Sequence, residues 1–187
     1  MYLGNIIFLG SPGSGKGTIS NLLKEKYGYV TITTGDILRA EKNSGSEVGN
    51  QINHLIGKGH LVSDDLINKI VENKIKSLDS PYILDGFPRT IPQGEFLEKI
   101  ADIGLVIYLD VTDETIKRRI LERGKISGRE DDQDITIIER RIKQFKEETK
   151  PLINFYKKKF MITYVDGEAP IEQVLNQVEN ILRLWDQ

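Results

Sequence analysis

GSPGSGKGT, residues 10–18, follows a short apolar run at 6–9 and leads into a stretch with helical spacing that begins at Thr18. Glycines at a strand-to-helix turn let successive backbone amides approach phosphate oxygens, and the N-terminus of the next helix adds positive potential. Lys16 stands at the lysine position of a phosphate-binding loop, where it supplies a mobile cation. A glycine-rich turn that merely joins a strand to a helix is the alternative, and the full glycine and lysine spacing disfavours it. The predicted phosphate-binding residues are Gly13, Ser14, Gly15, Lys16, Gly17 and Thr18.

The position after the lysine departs from the usual phosphate loop. Gly17 stands where a serine or threonine would place its hydroxyl on magnesium, and the hydroxyl comes one residue later, at Thr18. The spacing therefore leaves direct hydroxyl ligation of Mg²⁺ open. Asp85, at the end of the third apolar run, can orient water molecules on the metal.

Five short apolar runs bounded by glycine, proline or aspartate predict buried strands. They lie at 6–9, 29–32, 82–84, 105–109 and 161–165. Helical spacing is found at 18–26, 46–60, 63–77, 91–100, 113–124 and 132–160. This alternation predicts an α/β fold in three layers, with a five-stranded parallel sheet covered by helices on both faces. A length of 187 residues suits one domain spanning 1–187.

Composition disfavours several classes of function. With 26 basic and 28 acidic residues and an apolar fraction of 39%, the chain is expected to be soluble and to have no nucleic-acid partner. It contains no cysteine, which excludes a disulfide framework and a cysteine-ligated zinc site and favours a cytoplasmic location. We identify no signal peptide and no membrane-spanning run, and therefore expect no membrane association.

Two further motifs follow predicted strands. TGD at 34–36, with Arg39 after it, follows the second run, and DGFPRTIPQ at 85–93 follows the third. Ligands bind at the carboxyl ends of strands in open parallel sheets. A guanidinium at such a place can make a forked contact to phosphate, and glutamine has the paired donor and acceptor that an adenine edge requires. Taken alone, the first motif can also be a helix cap at Asp36 and the second a proline turn with a surface arginine.

Together these motifs resemble the adenylate kinases, a family of nucleoside monophosphate kinases. PGSGKGT at 12–18 is typical of these kinases rather than of GTPases or motor-type ATPases, and the two motifs above match the segments with which the family binds AMP. The resemblance implies a P-loop NTPase-type fold with two small arms, an AMP-binding arm at 33–62 and a short lid at 124–132. The AMP-binding residues that it implies are Thr34, Arg39, His60, Val62, Gly86, Arg89, Gln93, Arg129 and Arg141.

A set of arginines follows the fourth apolar run. Arg119 and Arg123 lie four residues apart, which places them on one face of a predicted helix. The segment GKISGREDD at 124–132 resembles the lid of short-form adenylate kinases and is too short for a zinc-binding insert. The resemblance implies that Arg119 and Arg123 stabilise the ATP phosphates and that Arg129 bridges the transferred phosphate and the acceptor.

Two positions near the C-terminus complete the predicted site. The last site arginine is Arg140 when counted forward from the aspartates at 131–132, and Arg141 when counted back from 145–151; we prefer Arg141. The carbonyl of Ala169 corresponds to one that meets the ATP adenine in the family, although a plain turn explains this segment equally well. The implied catalytic residues are Lys16, Arg89, Arg119, Arg123, Arg129 and Arg140 or Arg141.

The resemblance implies a monomeric enzyme that transfers the terminal phosphate of ATP to AMP, reversibly and with Mg²⁺, giving two ADP. Relatives that phosphorylate UMP or CMP tend to have alanine and asparagine where this chain has Thr34 and Gln93, so these two residues favour AMP. A GTPase-like switch is disfavoured because the chain has no Asn-Lys-x-Asp segment. A UMP/CMP kinase is the closest alternative within this enzyme class, and a catalytically weak nucleotide-binding protein also stays open.

Overall fold

A computed structural model describes residues 4–42, 62–159 and 162–185. Its centre is a sheet of five strands: β1 (Asn5–Leu9), β2 (Val30–Thr33), β3 (Tyr82–Asp85), β4 (Ile103–Asp110) and β5 (Ile162–Asp166). All four pairings between neighbouring strands are parallel, and the order across the sheet is β2-β3-β1-β4-β5. The predicted five-stranded parallel sheet is confirmed.

Helices connect the strands, as parallel pairing requires, because a parallel neighbour can be reached only by a crossover. The helices are α1 (Lys16–Tyr27), α2 (Thr34–Lys42), α3 (Asp64–Lys76), α4 (Ile91–Ile100), α5 (Asp113–Ser127), α6 (Ile135–Gln144), α7 (Pro151–Lys157) and α8 (Ile171–Leu184). A 3₁₀ turn at Glu130–Asp132 precedes α6, and a π-helical turn at Phe145–Thr149 follows it.

Both faces of the sheet are buried. In β1, Ile7 and Leu9 belong to an apolar cluster shared with α3, α4 and α7, whereas Ile6 and Phe8 belong to a second cluster shared with α1 and α8. The period of two along a strand sends neighbouring side chains to opposite faces, so an uninterrupted apolar run is what a strand with two covered faces needs. The three-layer prediction is confirmed.

The strand order also determines where a ligand can bind. In the strand order, the connection after β1 leads to β2 on one side of β1, and the connection after β4 leads to β5 on the other side. The direction of the connections therefore reverses at β1 and its neighbours. The segments that leave the carboxyl ends of β1, β2 and β3 therefore meet at one edge. These are the three segments in which the sequence placed its phosphate and acceptor motifs.

Two helix predictions were wrong. The single helix predicted at 132–160 is divided into the 3₁₀ turn, α6, the π-helical turn and α7. Pro151 lacks a backbone N–H and stands in the first turn of α7, where no intrahelical donor is needed, while the N–H of Lys150 donates to Phe145 O at 2.7 Å. Helix α2 was not predicted, because TGD was interpreted mainly as a ligand-binding turn. The helix predicted at 46–60 lies outside the described residues.

Helix α5 continues past Gly124, where the sequence predicted its end, to Ser127. Gly128 ends it in the left-handed conformation, with φ 67° and its N–H donating to Gly124 O at 3.1 Å. Gly124 instead lies where α5 and the 3₁₀ turn approach each other closely, because a Cβ atom there would lie 2.7 Å from Asp132 O. The 3₁₀ turn can therefore rest directly on α5.

Gly124→Ala should destabilise the protein, although alanine usually stabilises a helix interior by about 1 kcal/mol relative to glycine. The added methyl group would push the 3₁₀ turn away from α5, and such overpacking costs about 1–3 kcal/mol. Urea unfolding would measure the change, with Lys125→Ala as a control on the exposed face of the same helix. A stability equal to or above that of the unmodified chain would contradict the close contact.

Candidate active site

A cavity of about 1270 Å³ opens at the carboxyl edge of the sheet. Its walls come from the segments after β1, β2 and β3, from α5 and α6, and from the segment after β5. The predicted site residues that line it are Gly13, Ser14, Gly15, Lys16, Gly17, Thr18, Thr34, Arg39, Val62, Asp85, Gly86, Arg89, Gln93, Arg119, Arg123, Arg129, Arg141 and Ala169. Arg140 is exposed and does not line the cavity. His60 lies outside the described residues.

The loop between β1 and α1 has the backbone that its glycines predict. Gly13 and Gly15 have φ values of 79° and 100°, in the left-handed region that favours glycine. A Cβ atom on Gly13 would lie 2.8 Å from Ile120 Cγ1, so the loop packs closely on α5. Ser14 N–H donates to Ser11 O at 3.1 Å, which closes the turn.

Lys16 folds back over this loop. Its Nζ donates to the carbonyl oxygens of Gly10 and Ser11, at 2.8 Å each. The pKa of Lys16 is lowered to about 8, chiefly by burial; Asp85 partly opposes this shift, and the positive charges of Arg89 and Arg123 add to it. The ammonium group thus occupies a strongly cationic environment, which a bound polyphosphate would neutralise.

Gly86, at the carboxyl end of β3, is a junction between the two acceptor motifs. Its carbonyl oxygen accepts hydrogen bonds from Thr34 Oγ1 and from Arg89 Nε, at 2.8 Å each. With φ at 83°, a Cβ atom on Gly86 would lie 2.9 Å from Thr34 Oγ1 and 3.0 Å from Arg89 Nη2. The absence of a side chain is what allows the hydroxyl and the guanidinium to meet here.

The Gln93 side chain is held at both ends. Its Oε1 accepts from the backbone N–H of Arg89 at 2.7 Å, and its Nε2 donates to Asp64 Oδ1 at 2.6 Å. Thr90 Oγ1 donates to the other carboxylate oxygen of Asp64 at 3.0 Å. Gln93 is only 2% exposed, yet it lines the cavity. One amide hydrogen and one lone pair of its carbonyl remain for a ligand.

A fully buried carboxylate holds two of the arginines. Asp132 accepts from Arg123 Nε at 2.7 Å and from Arg123 Nη2 at 3.0 Å, and from Arg141 Nη1 at 2.8 Å. Arg141 also donates to Asp131 at 3.0 Å. Burial by itself would raise the pKa of Asp132, but the hydrogen bonds and charges of Arg123 and Arg141 hold it below its usual range. Asp132 therefore fixes both guanidinium groups at the cavity wall.

Asp36 contacts two further arginines of the cavity. Its carboxylate pairs with Arg39 in the same helix and with Arg129 Nη2 at 3.4 Å. The second contact joins the helix after β2 to the segment after α5. Burial, and then the charges of Arg39 and Arg123, lower the pKa of Arg129.

The segment after β5 is attached to the start of α5. The Glu168 carboxylate accepts from the N–H and the hydroxyl of Thr112, at 2.7 Å each, and these bonds lower the pKa of Glu168 to about 2. Gly167 N–H donates to Asp110 O at 2.9 Å. Ala169 is thereby held at the cavity wall.

Comparison with known proteins agrees with this geometry. A family model described as Adenylate kinase matches residues 8–161. An adenylate kinase of Prochlorococcus marinus (strain NATL1A) is 40% identical over 182 residues, which are 95% of this chain and 97% of that protein. Adenylate kinase isoenzyme 1 of Rattus norvegicus is 39% identical over 177 residues, 92% of this chain and 91% of that protein. An adenylate kinase of Porphyromonas gingivalis is 40% identical over 185 residues, 95% of each chain.

The chain belongs to the adenylate kinase family. The predicted family and enzyme class, a phosphotransferase of the nucleoside monophosphate kinase type, are confirmed. Within the part of the chain that the structure describes, no helix is long and apolar enough to cross a membrane.

Asp85 has the surroundings that a magnesium site in an adenylate kinase needs. It is 8% exposed, it lines the cavity, and its carboxylate has no hydrogen bond or salt bridge to another described residue. A Cβ atom on Gly17 would lie 3.3 Å from Asp85 Oδ2, so the carboxylate lies beside the phosphate loop. Across the described ranges, no three histidine, cysteine or acidic residues cluster to hold a metal. A single carboxylate fits Mg²⁺, which keeps several waters and takes further oxygens from substrate phosphates.

Three acidic residues of this site were missed as partners of the predicted residues: Asp36, Asp64 and Asp132. Asp36 and Asp132 were within the quoted motifs, and Asp36 lies only three residues from Arg39, which was a signal. The pairings of Asp64 with Gln93 and of Asp132 with Arg141 depend instead on how separate segments meet in space.

The titration of Lys16 should be visible in nucleotide binding. Its pKa is about 8 in the nucleotide-free protein and should rise when a polyphosphate is bound, so affinity for ATP should fall as pH rises above about 8. Binding should take up an additional proton, approaching one per ATP near pH 9. Calorimetry in buffers of different ionisation enthalpy measures this uptake.

Lys16→Arg is the matched control, because arginine keeps the charge but does not titrate in this range. ATP binding to this variant should lack the proton uptake above pH 8 that comes from Lys16. Any protonation change of ATP itself is the same for the variant and the unmodified chain. Identical uptake by the two proteins between pH 7 and about 9 would contradict the assigned pKa.

Proposed function

We propose that this adenylate kinase catalyses the reversible transfer of the terminal phosphate of ATP to AMP, giving two ADP, with Mg²⁺ bound to the donor phosphates. The observation that carries the proposal is the convergence of cationic side chains on one cavity from six separate segments of the chain. They are Lys16 after β1, Arg39 and Arg89 after β2 and β3, Arg119 and Arg123 on α5, and Arg129 and Arg141 beyond it.

The donor nucleotide is assigned to the side of the cavity formed by the phosphate loop. The backbone amides of residues 13–18 and the N-terminus of α1 are suited to hold its phosphates, with Lys16 as the mobile cation. Arg119 and Arg123 approach the same phosphates from α5. Ala169 is assigned to the ATP adenine, on the segment that Glu168 attaches to α5.

The acceptor nucleotide is assigned to the side formed by α2 and the segment after β3. Arg39 and Arg89 are proposed to hold its phosphate, because both are partly buried cations at the cavity wall. Thr34 and Gln93 are assigned to the base. Apolar side chains suited to cover the base line the same wall: Leu38, Val62 and Ile67.

Mg²⁺, when bound, would supply neutralisation of the charge on the donor phosphates and on the transferred group. We assign the Asp85 carboxylate to the waters of the metal, since it is the buried oxygen ligand beside the phosphate loop. Gly17 offers no hydroxyl, and Thr18 lines the same cavity.

The reaction needs little covalent chemistry from the protein. The attacking oxygen of the acceptor phosphate is already anionic, so no serine, cysteine or histidine nucleophile is required. Catalysis is then mainly positioning, together with stabilisation of the charge that spreads over the transferred group. Lys16 and Arg89, together with Arg123, Arg129 and Arg141, are proposed to supply that stabilisation. Arg140, exposed outside the cavity, is assigned no role.

Water must be excluded, because it competes with AMP as the acceptor. We propose that the arms predicted at 33–62 and 124–132 cover the two substrates, with the Arg129–Asp36 contact between them. Residues 43–61 of the first arm lie outside the described residues. A cytoplasmic monomer remains a prediction from composition and from the family resemblance.

The acceptor specificity can be measured directly. ADP formation from ATP should require an acceptor, and kcat/KM should be highest with AMP, because Thr34 and Gln93 favour adenine. The assay compares AMP, UMP, CMP and no acceptor under the same conditions. Higher kcat/KM with UMP or CMP would assign the chain to pyrimidine nucleotides, and loss of ATP without an acceptor would indicate a nucleotide hydrolase.

Replacing Lys16 or Arg89 by methionine should lower kcat/KM by about 10²–10³, the usual cost of removing one donor that stabilises transition-state charge. Neither change should lower stability much. Below pH 8, Lys16 is a charged group whose pKa burial has depressed, so removing its charge should leave the free energy of unfolding unchanged or raise it.

The matched controls are Lys24→Met, on the exposed face of α1, and Arg118→Met, exposed on α5. Both should keep wild-type activity. Steady-state kinetics and thermal unfolding on all four variants separate a loss of function from a loss of fold. Full activity of either site variant would refute the assignment of that residue.

A further inference from the structure

Asp64, the first residue of α3, holds a side chain of the proposed acceptor site from a separate segment of the chain. It lies 29 residues from Gln93 in sequence, and its carboxylate is fully engaged with the motif after β3: Oδ1 with Gln93 Nε2 at 2.6 Å and Oδ2 with Thr90 Oγ1 at 3.0 Å.

This arrangement permits only one orientation of the Gln93 amide. A carboxylate has acceptors only, so it must face the NH₂ group, and the backbone N–H of Arg89 is a donor only, so it must face the carbonyl oxygen. Rotating the amide by half a turn would oppose oxygen to carboxylate at one end and NH₂ to N–H at the other. The remaining donor on Nε2 and the remaining acceptor on Oε1 of Gln93 therefore have fixed positions toward the cavity.

We propose that Asp64 is a positioning residue that fixes the orientation of the Gln93 amide, and that this orientation selects a 6-amino purine over a 6-oxo purine in the acceptor nucleotide. The inference rests on the proposed function, in which Gln93 meets the acceptor base. Adenine offers an acceptor at N1 beside a donor at its 6-amino group, whereas hypoxanthine offers a donor at N1 beside an acceptor at O6. The two bases have nearly the same shape, so shape alone discriminates poorly, and the order of donor and acceptor must decide.

Asp64→Asn tests this directly. Asparagine can offer either its oxygen or its NH₂ to Gln93, so one of the two restraints on the amide is removed while the size of the side chain is kept. The kcat/KM for IMP relative to AMP should rise by about tenfold or more, with IMP turnover itself increasing. Coupled measurement of ADP formation with each acceptor gives both values.

The matched control is Asp65→Asn, which removes the same charge from the same helix turn, at an exposed residue. Asp64→Glu is the conservative variant; it keeps a carboxylate and should keep the wild-type ratio whatever its absolute rate. Asp64→Ser, which is well tolerated at a helix N-terminus and can also donate or accept, provides the same test should the asparagine variant fail to fold.

A merely structural role would lower both rates together and leave the ratio unchanged, and that result in folded Asp64→Asn or Asp64→Ser would overturn the inference. A rise of the same size in Asp65→Asn would also overturn it, because charge alone would then explain the change. Failure of the proposed function would look different: the unmodified chain would show no AMP-dependent ADP formation at all.

Discussion

Mutual repulsion among the cations of one cavity is the constraint on which the rest of this structure depends. Burial of Lys16 and Arg89 removes much of the water that would otherwise stabilise their charges, and nearby arginines add to the effect, Arg89 on Lys16 and Arg141 on Arg89. The pKa of Lys16 falls to about 8 and that of Arg89 to about 10. Such a group is stable only within a scaffold that supplies compensating acceptors, and it becomes favourable when phosphate enters.

Those acceptors are distributed so that the cations stay exposed to a ligand. Asp132 is buried completely and binds Arg123 and Arg141 from behind, which holds the guanidinium groups in place without filling the cavity. Neutral groups serve the same purpose elsewhere: the Gly86 carbonyl holds Arg89, and the carbonyls of the phosphate loop hold Lys16. A polyphosphate can replace the contacts of Lys16 without disturbing the fold, whereas the contacts of Asp132 are part of the fold.

The sequence was sufficient for the architecture because the strong signals were local. The apolar runs identified all five strands, and the glycine and lysine spacing identified the phosphate loop. Secondary-structure prediction failed where the same residues were compatible with more than one local structure. TGD can begin a helix or form a turn, and the long polar stretch from 132 to 160 has helical spacing throughout, so its division into shorter elements shows only at Pro151 and in the packing of its parts.

The site residues also differ in how well the sequence predicted them. Several residues proposed to touch the nucleotides, such as Lys16, Thr34 and Arg89, lie in recognisable motifs because those motifs follow directly after strands in the sequence. Residues that hold them, such as Asp64 and Asp132, need only be close in space. Their partners lie 29 residues away for Gln93 and nine for each of Arg123 and Arg141. No spacing rule links such pairs, so they emerged only from coordinates.

This division bears on where specificity resides. An amide such as that of Gln93 is ambiguous by itself, because rotation exchanges its donor and acceptor at almost no change in shape. The groups that hold the amide, a carboxylate on one side and a backbone N–H on the other, determine where it presents a donor and where an acceptor to a base. A residue that touches no ligand can therefore determine which ligand is chosen, and a change at such a position can alter selectivity while every residue of the binding motifs is kept.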